Sequence, residues 1–209
     1  IETSELVRAK LPAMSEAAGQ IGDAQVRNLG TIGGSLAHAD PSADWPAVTV
    51  ALDASVRIVS KSGERVLKVE DLIQGPLTTA LEPGEILAEV RVPLPAGRTG
   101  SAYEKYPHPA SRFAIVGVAA RVSLDDGNVR EARVAITGLG PKVTRAKGVE
   151  QALAGKAADP AVLDAAAARA AEGLELRADL MGSEEYKANL ARVYTARALR
   201  RAVGRARER

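Results

Sequence analysis

Residues 27–46, RNLGTIGGSLAHADPSADWP, carry the groups with the clearest potential for chemistry in this chain. This glycine segment combines three glycines with hydroxyl, carboxyl and imidazole groups and with the only tryptophan. Helices and strands rarely accept such a mixture, so we expect an irregular stretch. Adjacent glycines bring backbone N–H groups close to an anion, and the hydroxyls add uncharged donors. The residues of this predicted anion-holding turn are Thr31, Ile32, Gly33, Gly34 and Ser35.

Pyrophosphate is the anion that best suits this turn, and two carboxylates downstream extend the hypothesis. Asp40 and Asp44 can accept hydrogen bonds from ribose or ribitol hydroxyls, and His38 adds a polar contact. Two alternatives remain open, namely a structural turn without a ligand and a metal site formed by these three side chains. The spacing matches neither G-x-G-x-x-G nor G-x-x-x-x-G-K-[ST], so neither a Rossmann site nor a P-loop is indicated.

Composition narrows the functional classes. The chain has 209 residues, of which 46% are hydrophobic, and no apolar run is long enough to cross a bilayer. Its net charge of +2 is nearly balanced, and the arginine-rich C-terminal stretch has no aromatic residue after Tyr194, so nucleic-acid binding is not expected. That stretch suits a solvated helix end or a subunit contact. The chain has no cysteine, so any redox chemistry would need a bound cofactor.

The first half of the chain predicts helices followed by strands. Residues 4–21 have apolar positions at helical spacing, with Pro12 as the point where the helix kinks or restarts. Residues 45–54 form a short apolar helix in this interpretation, with Ser42 or Asp44 as its cap. After this helix, apolar and polar residues alternate, which predicts strands. The pattern indicates a hairpin with its turn at Ser62-Gly63 in SVRIVSKSGERVLKVEDLI and a further strand in EILAEVRVPLP.

The second half predicts a small antiparallel sheet with helices on one face. Its clearest hairpin joins FAIVGVAARVSL to VREARVAITGLG through an Asp-Gly turn at residues 125–128. Helices are expected over residues 144–155, 159–173 and 183–203. The Pro- and Gly-rich stretch PLPAGRTGS separates the halves, which gives an α+β chain with predicted domains 1–98 and 99–209.

Three stretches together resemble one protein family. QVRNLGTIGGSLAHADPSADWPAV is similar to the second flavin-binding segment of the FAD-binding medium subunits of molybdenum hydroxylases. SAYEKYPHPASRFAIVGVAARV resembles the entry into that family's C-terminal domain, and GSEEYKANLARVYTARALRRA resembles its closing helix. The group contains aerobic carbon monoxide dehydrogenase and xanthine dehydrogenase, and the likeness is closest to the carbon monoxide dehydrogenase branch. The fold implied is a partial vanillyl-alcohol-oxidase-type (PCMH) FAD-binding lobe followed by a small C-terminal domain of antiparallel sheet and helices.

The resemblance implies an electron-transfer role. A large partner subunit would carry the molybdenum cofactor, a small one would carry two [2Fe–2S] clusters, and FAD on this chain would deliver electrons to an acceptor such as quinone. The implied assembly is a dimer of heterotrimers in the cytoplasm, without a membrane span, with peripheral association at the inner membrane face through quinone. The alternative is a non-catalytic scaffold, or a truncated remnant, that docks partner subunits without FAD.

The resemblance also implies roles for individual residues. The central residues of the glycine segment would wrap the FAD phosphates, and Asp44 would accept from a sugar hydroxyl. Leu87 would lie on the adenine side, Lys105 would make a polar or ionic contact, and Phe113 would lie against the isoalloxazine. Many family members have Asn in place of Ser35 and Tyr in place of Phe113, and both departures keep the main interaction.

One part of the family's flavin cradle is not found in these residues. The family's first lobe, with its Ala-Gly-Gly-x-Ser phosphate loop, has no counterpart in the 209 residues. We expect that lobe either upstream of Ile1 or on another polypeptide.

Overall fold

The N-terminal part of the protein begins with five short helices. The computed structural model describes residues 1–176 and 178–209. Pro12 starts a new helix, as predicted, because its missing N–H is tolerated in the first helical turn. The five helices are α1 (Glu5–Lys10), α2 (Pro12–Gln20), α3 (Ala24–Leu29), α4 (Ile32–His38) and α5 (Asp44–Ala51).

A three-stranded antiparallel sheet follows these helices. β1 (Ser55–Ser60) pairs with β2 (Gly63–Lys68) through the predicted hairpin, whose second strand begins at Gly63. The order in this sheet is β2-β1-β5, where β5 is Ile86–Arg91. The connection between β2 and β5 contains the short elements α6 (Val69–Leu72), β3 (Ile73–Gly75) and β4 (Thr78–Thr79).

The C-terminal part contains a four-stranded antiparallel sheet. Its strands run in the order β6 (Thr99–Pro107), β7 (Ala114–Asp125), β8 (Asn128–Thr137) and β9 (Thr144–Arg145). The predicted Asp-Gly hairpin joins β7 to β8, and both turn residues have positive φ, 44° for Asp126 and 82° for Gly127. The sequence therefore places this turn correctly, because only residues that tolerate the left-handed region fit it.

Three helices complete this part, and each differs in extent from the sequence prediction. α7 is Lys147–Leu153, because the preceding residues 144–145 pair with β8 as β9. α8 is Pro160–Ala167 and ends before the predicted residue 173. α9 is Glu184–Arg207, and the Ser183 side chain caps it by accepting from the N–H of Tyr186. None of the helices within the described residues is both long enough and apolar enough to cross a membrane.

The four-stranded sheet forms a wall between two hydrophobic clusters. One face packs against α7, α8 and α9. The other face contributes a row of side chains, Tyr103, Ala119 and Ala135, to the core of the N-terminal helices and the first sheet. The N-terminal helices are thus packed on the C-terminal sheet, and this packing determines where the glycine segment lies.

Some arginines at the end of α9 form ion pairs with other elements of the protein, whereas a solvated helix end would leave them in water. Arg201 pairs with Glu104 on β6 and with Glu16 on α2. Arg205 also pairs with Glu16 and donates to the Ser101 carbonyl at 2.7 Å. Charge-assisted hydrogen bonds of this kind join the last helix to both parts of the chain.

The close contact between β6 and α9 gives a test of this packing. A Cβ atom at Gly100 would lie 2.1 Å from the Ala202 carbonyl oxygen and 2.6 Å from the Ala206 nitrogen. These are backbone atoms of α9, and a shift of the helix backbone would disturb its packing on β6. We therefore expect Gly100→Ala to lower the free energy of unfolding by about 3 kcal/mol, measured by urea denaturation. Gly204→Ala is the matched control, since its Cβ would meet nothing within 4 Å and should stabilise α9 by about 0.5–1 kcal/mol. Equal stability of Gly100→Ala and the wild type would contradict the packing.

Candidate functional site

A cleft lies where the glycine segment meets the C-terminal sheet. Its volume is about 860 Å³, and the turn before β7 forms its far edge. The cleft wall combines apolar side chains, hydroxyls and bare backbone. The lining includes Thr31, Ile32, Gly34, Ser35, Asp44, Trp45, Arg112 and Phe113.

The glycine segment is more regular than predicted, because α4 and parts of α3 and α5 occupy much of it. The Thr31 side chain caps α4 by accepting from the N–H of Gly34 at 2.9 Å. A Cβ atom at Gly34 would lie 2.9 Å from that same hydroxyl oxygen, so glycine there permits the cap. The prediction of an irregular anion-holding turn is therefore wrong in its geometry. The hydroxyls, the glycines and the first N–H groups of a helix, which lack an intrahelical partner, still meet at one place.

The end of the glycine segment is hydrogen-bonded to the C-terminal sheet. The Thr137 hydroxyl donates to the Pro41 carbonyl at 2.7 Å, and the N–H of Ala114 donates to the Ser42 carbonyl at 3.1 Å. Within the loop, Asp40 accepts from the N–H of Ser42 at 2.7 Å. These bonds fix the distance between the glycine segment and the strands that form the opposite side of the cleft.

A buried polar cluster, which we call the buried triad, consists of Asp44, which lines the cleft, and of Tyr103 and Lys105, which are buried and do not line it. The Lys105 ammonium donates to Asp44 Oδ2 at 2.8 Å and to the Gln20 carbonyl at 3.0 Å. The Tyr103 hydroxyl donates to the other oxygen of the same carboxylate. Only 1% of the Lys105 side chain and 6% of the Asp44 side chain are exposed. Both charges are thus compensated within the fold, as buried charges must be.

The helix cap predicted at Ser42 or Asp44 is wrong because the triad takes that carboxylate. Ala43 is the N-cap residue of α5 and makes no side-chain cap, while Asp44 is the first helical residue and turns inward. Burial raises the pKa of the Asp44 carboxyl, although the charge and hydrogen bond of Lys105 and the hydrogen bond of Tyr103 lower it. Burial, followed by the charge of Asp44, raises the pKa of Tyr103 well above its ordinary value, so Tyr103 remains a donor at neutral pH.

The structure brings most of the predicted site residues to the cleft and leaves three, Gly33, Leu87 and Lys105, outside its lining. Six line the cleft directly, namely Thr31, Ile32, Gly34, Ser35, Asp44 and Phe113. Gly33 and Leu87 are neighbours, since a Cβ on the glycine would lie 3.6 Å from Leu87 Cδ2. Lys105 lies beneath, in the buried triad. Among the described residues, His38, Asp40 and Asp44 are not brought together as a group of three metal ligands.

Sequence reasoning did not single out Arg112, which lines the cleft beside Phe113. Arg112 has a left-handed backbone, with φ of 60°, and its side chain is exposed. Within residues 1–176 and 178–209 it forms no ion pair. The only available signal was its place in PASRF, directly before an apolar strand, and that pattern alone does not distinguish a cleft residue from a surface one.

Comparisons with known proteins agree with this geometry. The model for the FAD binding domain in molybdopterin dehydrogenase matches residues 1–95, and the model for the CO dehydrogenase flavoprotein C-terminal domain matches residues 101–202. The carbon monoxide dehydrogenase medium chain of Hydrogenophaga pseudoflava is 37% identical over 203 residues, which are 97% of this chain and 71% of that protein. The chain belongs to the FAD-binding medium subunits of molybdenum hydroxylases.

Further similarities place the chain within that medium-subunit family. The 6-hydroxypseudooxynicotine dehydrogenase complex subunit alpha of Paenarthrobacter nicotinovorans is 38% identical over 209 residues, 99% of this chain and 70% of that protein. A solved structure of carbon monoxide dehydrogenase from Hydrogenophaga pseudoflava superimposes with a TM-score of 0.92 at 39% identity, over 98% of this chain and 71% of that one. These relatives are subunits of oxidoreductases, and the mixed α and β fold expected from the family resemblance is confirmed.

The residues at the cleft suit a flavin dinucleotide. The hydroxyls and the exposed backbone at the start of α4 suit phosphate oxygens, and the exposed Arg112 adds a cation to the lining. Trp45 and Phe113 add aromatic surface to the lining, which suits a flat ring system. The lining thus offers both the donors and the apolar surface that the medium-subunit family's cofactor needs.

The buried triad predicts a specific pattern of stability. Lys105→Met leaves the Asp44 carboxylate buried without its cation, so we expect the free energy of unfolding to fall by about 3 kcal/mol in urea denaturation. The double variant Asp44→Asn, Lys105→Met removes both charges and should recover a substantial part of that loss. A double variant no more stable than Lys105→Met alone would contradict the pairing.

Proposed function

We propose that this chain holds FAD in the cleft and relays electrons from the [2Fe–2S] clusters of a small partner subunit to an acceptor such as quinone. The observation that carries this proposal is the convergence of six predicted flavin residues on one cleft in a chain of the medium-subunit family. FAD, when bound, accepts and releases electrons, and the protein contributes binding and orientation.

The start of α4 is the proposed contact for the FAD phosphates. The Thr31 hydroxyl is already used as an acceptor by the N–H of Gly34, so its proton remains available for a phosphate oxygen. Ser35 lies one turn further along the chain, in α4, and also lines the cleft, so its hydroxyl is a second candidate donor. Arg112 offers a permanent positive charge from the other side. The pyrophosphate would thus be held from two directions.

The floor and edge of the cleft are the proposed contacts for the sugar and the ring. Asp44 lines the cleft, and each of its oxygens accepts from one donor, Tyr103 or Lys105, so a lone pair remains for a ligand hydroxyl. Lys105 would act on that contact by holding the carboxylate rather than by touching FAD, since its side chain is enclosed. Phe113 would lie against the isoalloxazine, and Leu87, behind Gly33, would support the adenine side.

The names of the relatives support partner subunits for this chain. A medium chain and a complex subunit alpha are parts of larger assemblies. We therefore propose a large partner with the molybdenum cofactor and a small partner with iron–sulfur clusters, arranged as a dimer of heterotrimers.

Ser35 offers an isosteric test of the phosphate contact. Ser35→Asp adds a negative charge beside the proposed pyrophosphate, and we expect FAD binding by the purified complex to weaken at least tenfold, or roughly 1.4 kcal/mol. Ser35→Asn has nearly the same size without the charge and should bind FAD as the wild type does. Titration of the flavin-depleted complex, followed by flavin fluorescence, measures both.

The outcomes separate the proposal from the scaffold alternative. Equal affinity of the Asp and Asn variants, with FAD still bound, would place the pyrophosphate away from Ser35. A wild-type complex that retains its partner subunits and takes up no FAD would support the scaffold and contradict the proposal.

A further inference from the structure

The turn that carries Arg112 and Phe113 to the cleft is closed by hydrogen bonds to one residue. In this cleft turn, residues 107–114, the N–H of His108 donates to the Phe113 carbonyl at 2.8 Å. The N–H of Arg112 donates to the His108 carbonyl at 2.9 Å. Backbone hydrogen bonds thus connect His108 to both Arg112 and Phe113, the two residues that line the cleft.

The imidazole of His108 makes a second set of bonds inside the same turn. Its Nδ1 atom lies 3.2 Å from the N–H nitrogen of Ala110 and 3.1 Å from that of Ser111. Both of those groups are donors, so Nδ1 must be an acceptor, and we assign the single ring proton to Nε2. Pro109 has no N–H, and so the imidazole satisfies the two N–H groups that follow it.

We propose that His108 is a positioning residue whose Nδ1 atom holds the cleft turn in the conformation that presents Arg112 and Phe113 to FAD. This inference rests on the proposed function, because it assigns a purpose to the geometry of the FAD cleft. The left-handed backbone of Arg112, with φ of 60°, is uncommon for a residue with a side chain and needs such local support.

The position of the acceptor atom makes the proposal specific. Asn places its Oδ1 atom as far along the side chain as Nδ1 of histidine, and such side chains commonly accept from the N–H two residues further on. Gln carries the same amide one bond further out, nearer to the position of Nε2. Asn should therefore replace His108 in the turn, whereas Gln should not.

The first measurement needs no disturbance of the turn. The chain has two histidines, His38 and His108, so ¹⁵N spectra of the labelled full chain contain signals from two imidazole rings. The variant His38→Gln removes one set of signals and thereby assigns the other set to His108. We expect the His108 ring to show a protonated Nε2 and an unprotonated, hydrogen-bonded Nδ1 near neutral pH. A ring with its proton on Nδ1 would overturn the proposal.

The second measurement asks whether the turn acts on FAD. In the purified complex, we expect His108→Gln to weaken FAD binding about tenfold, the effect of losing roughly one net hydrogen bond, and His108→Asn to stay within about twofold of the wild type. Thermal unfolding midpoints should be equal for the two variants, since the turn lies outside both cores.

The results distinguish this inference from the proposed function. If the wild type binds FAD and the Asn and Gln variants bind it equally well or equally poorly, the positioning role fails while the proposed function stands. If the wild-type complex binds no FAD, the proposed function fails, and the ¹⁵N spectrum alone then tests the Nδ1 geometry.

Discussion

The buried ion pair between Asp44 and Lys105 is the constraint on which the geometry of the cleft depends. Asp44 is the first residue of α5, and Lys105 lies on β6, so the pair joins the helix after the glycine segment to the C-terminal sheet. Two enclosed charges are stable only at short distance and with further hydrogen bonds, which Tyr103 and the Gln20 carbonyl supply. The register of α5 against β6 is thereby fixed.

Both walls of the cleft are attached to the same sheet. The loop at the end of the glycine segment is bonded to β7 and β8, through Ala114 and Thr137. The cleft turn connects β6 directly to β7. A ligand that bridges the two walls would therefore contact elements whose separation is set by strand pairing, and such preorganisation reduces the entropic cost of binding.

The sequence predicts local structure well where one residue type decides it. The Asp-Gly turn between β7 and β8 and the restart of a helix at Pro12 both depend on backbone preferences of single residues. The residue pattern does not predict the helical content of the glycine segment, because the Thr31 cap and the packing against β5 outweigh poor helix propensity. The pairing of Asp44 with Lys105, 61 positions apart, has no local signal at all.

The central claim is that FAD lies between α4 and the cleft turn, above the buried triad. A structure of the purified complex, determined by electron cryomicroscopy with its native cofactors, tests it most directly. We predict density for the pyrophosphate beside Thr31 and Ser35, with the isoalloxazine against Phe113. Flavin density elsewhere on the chain, or no flavin in a complex that keeps its iron–sulfur and molybdenum subunits, would contradict the account.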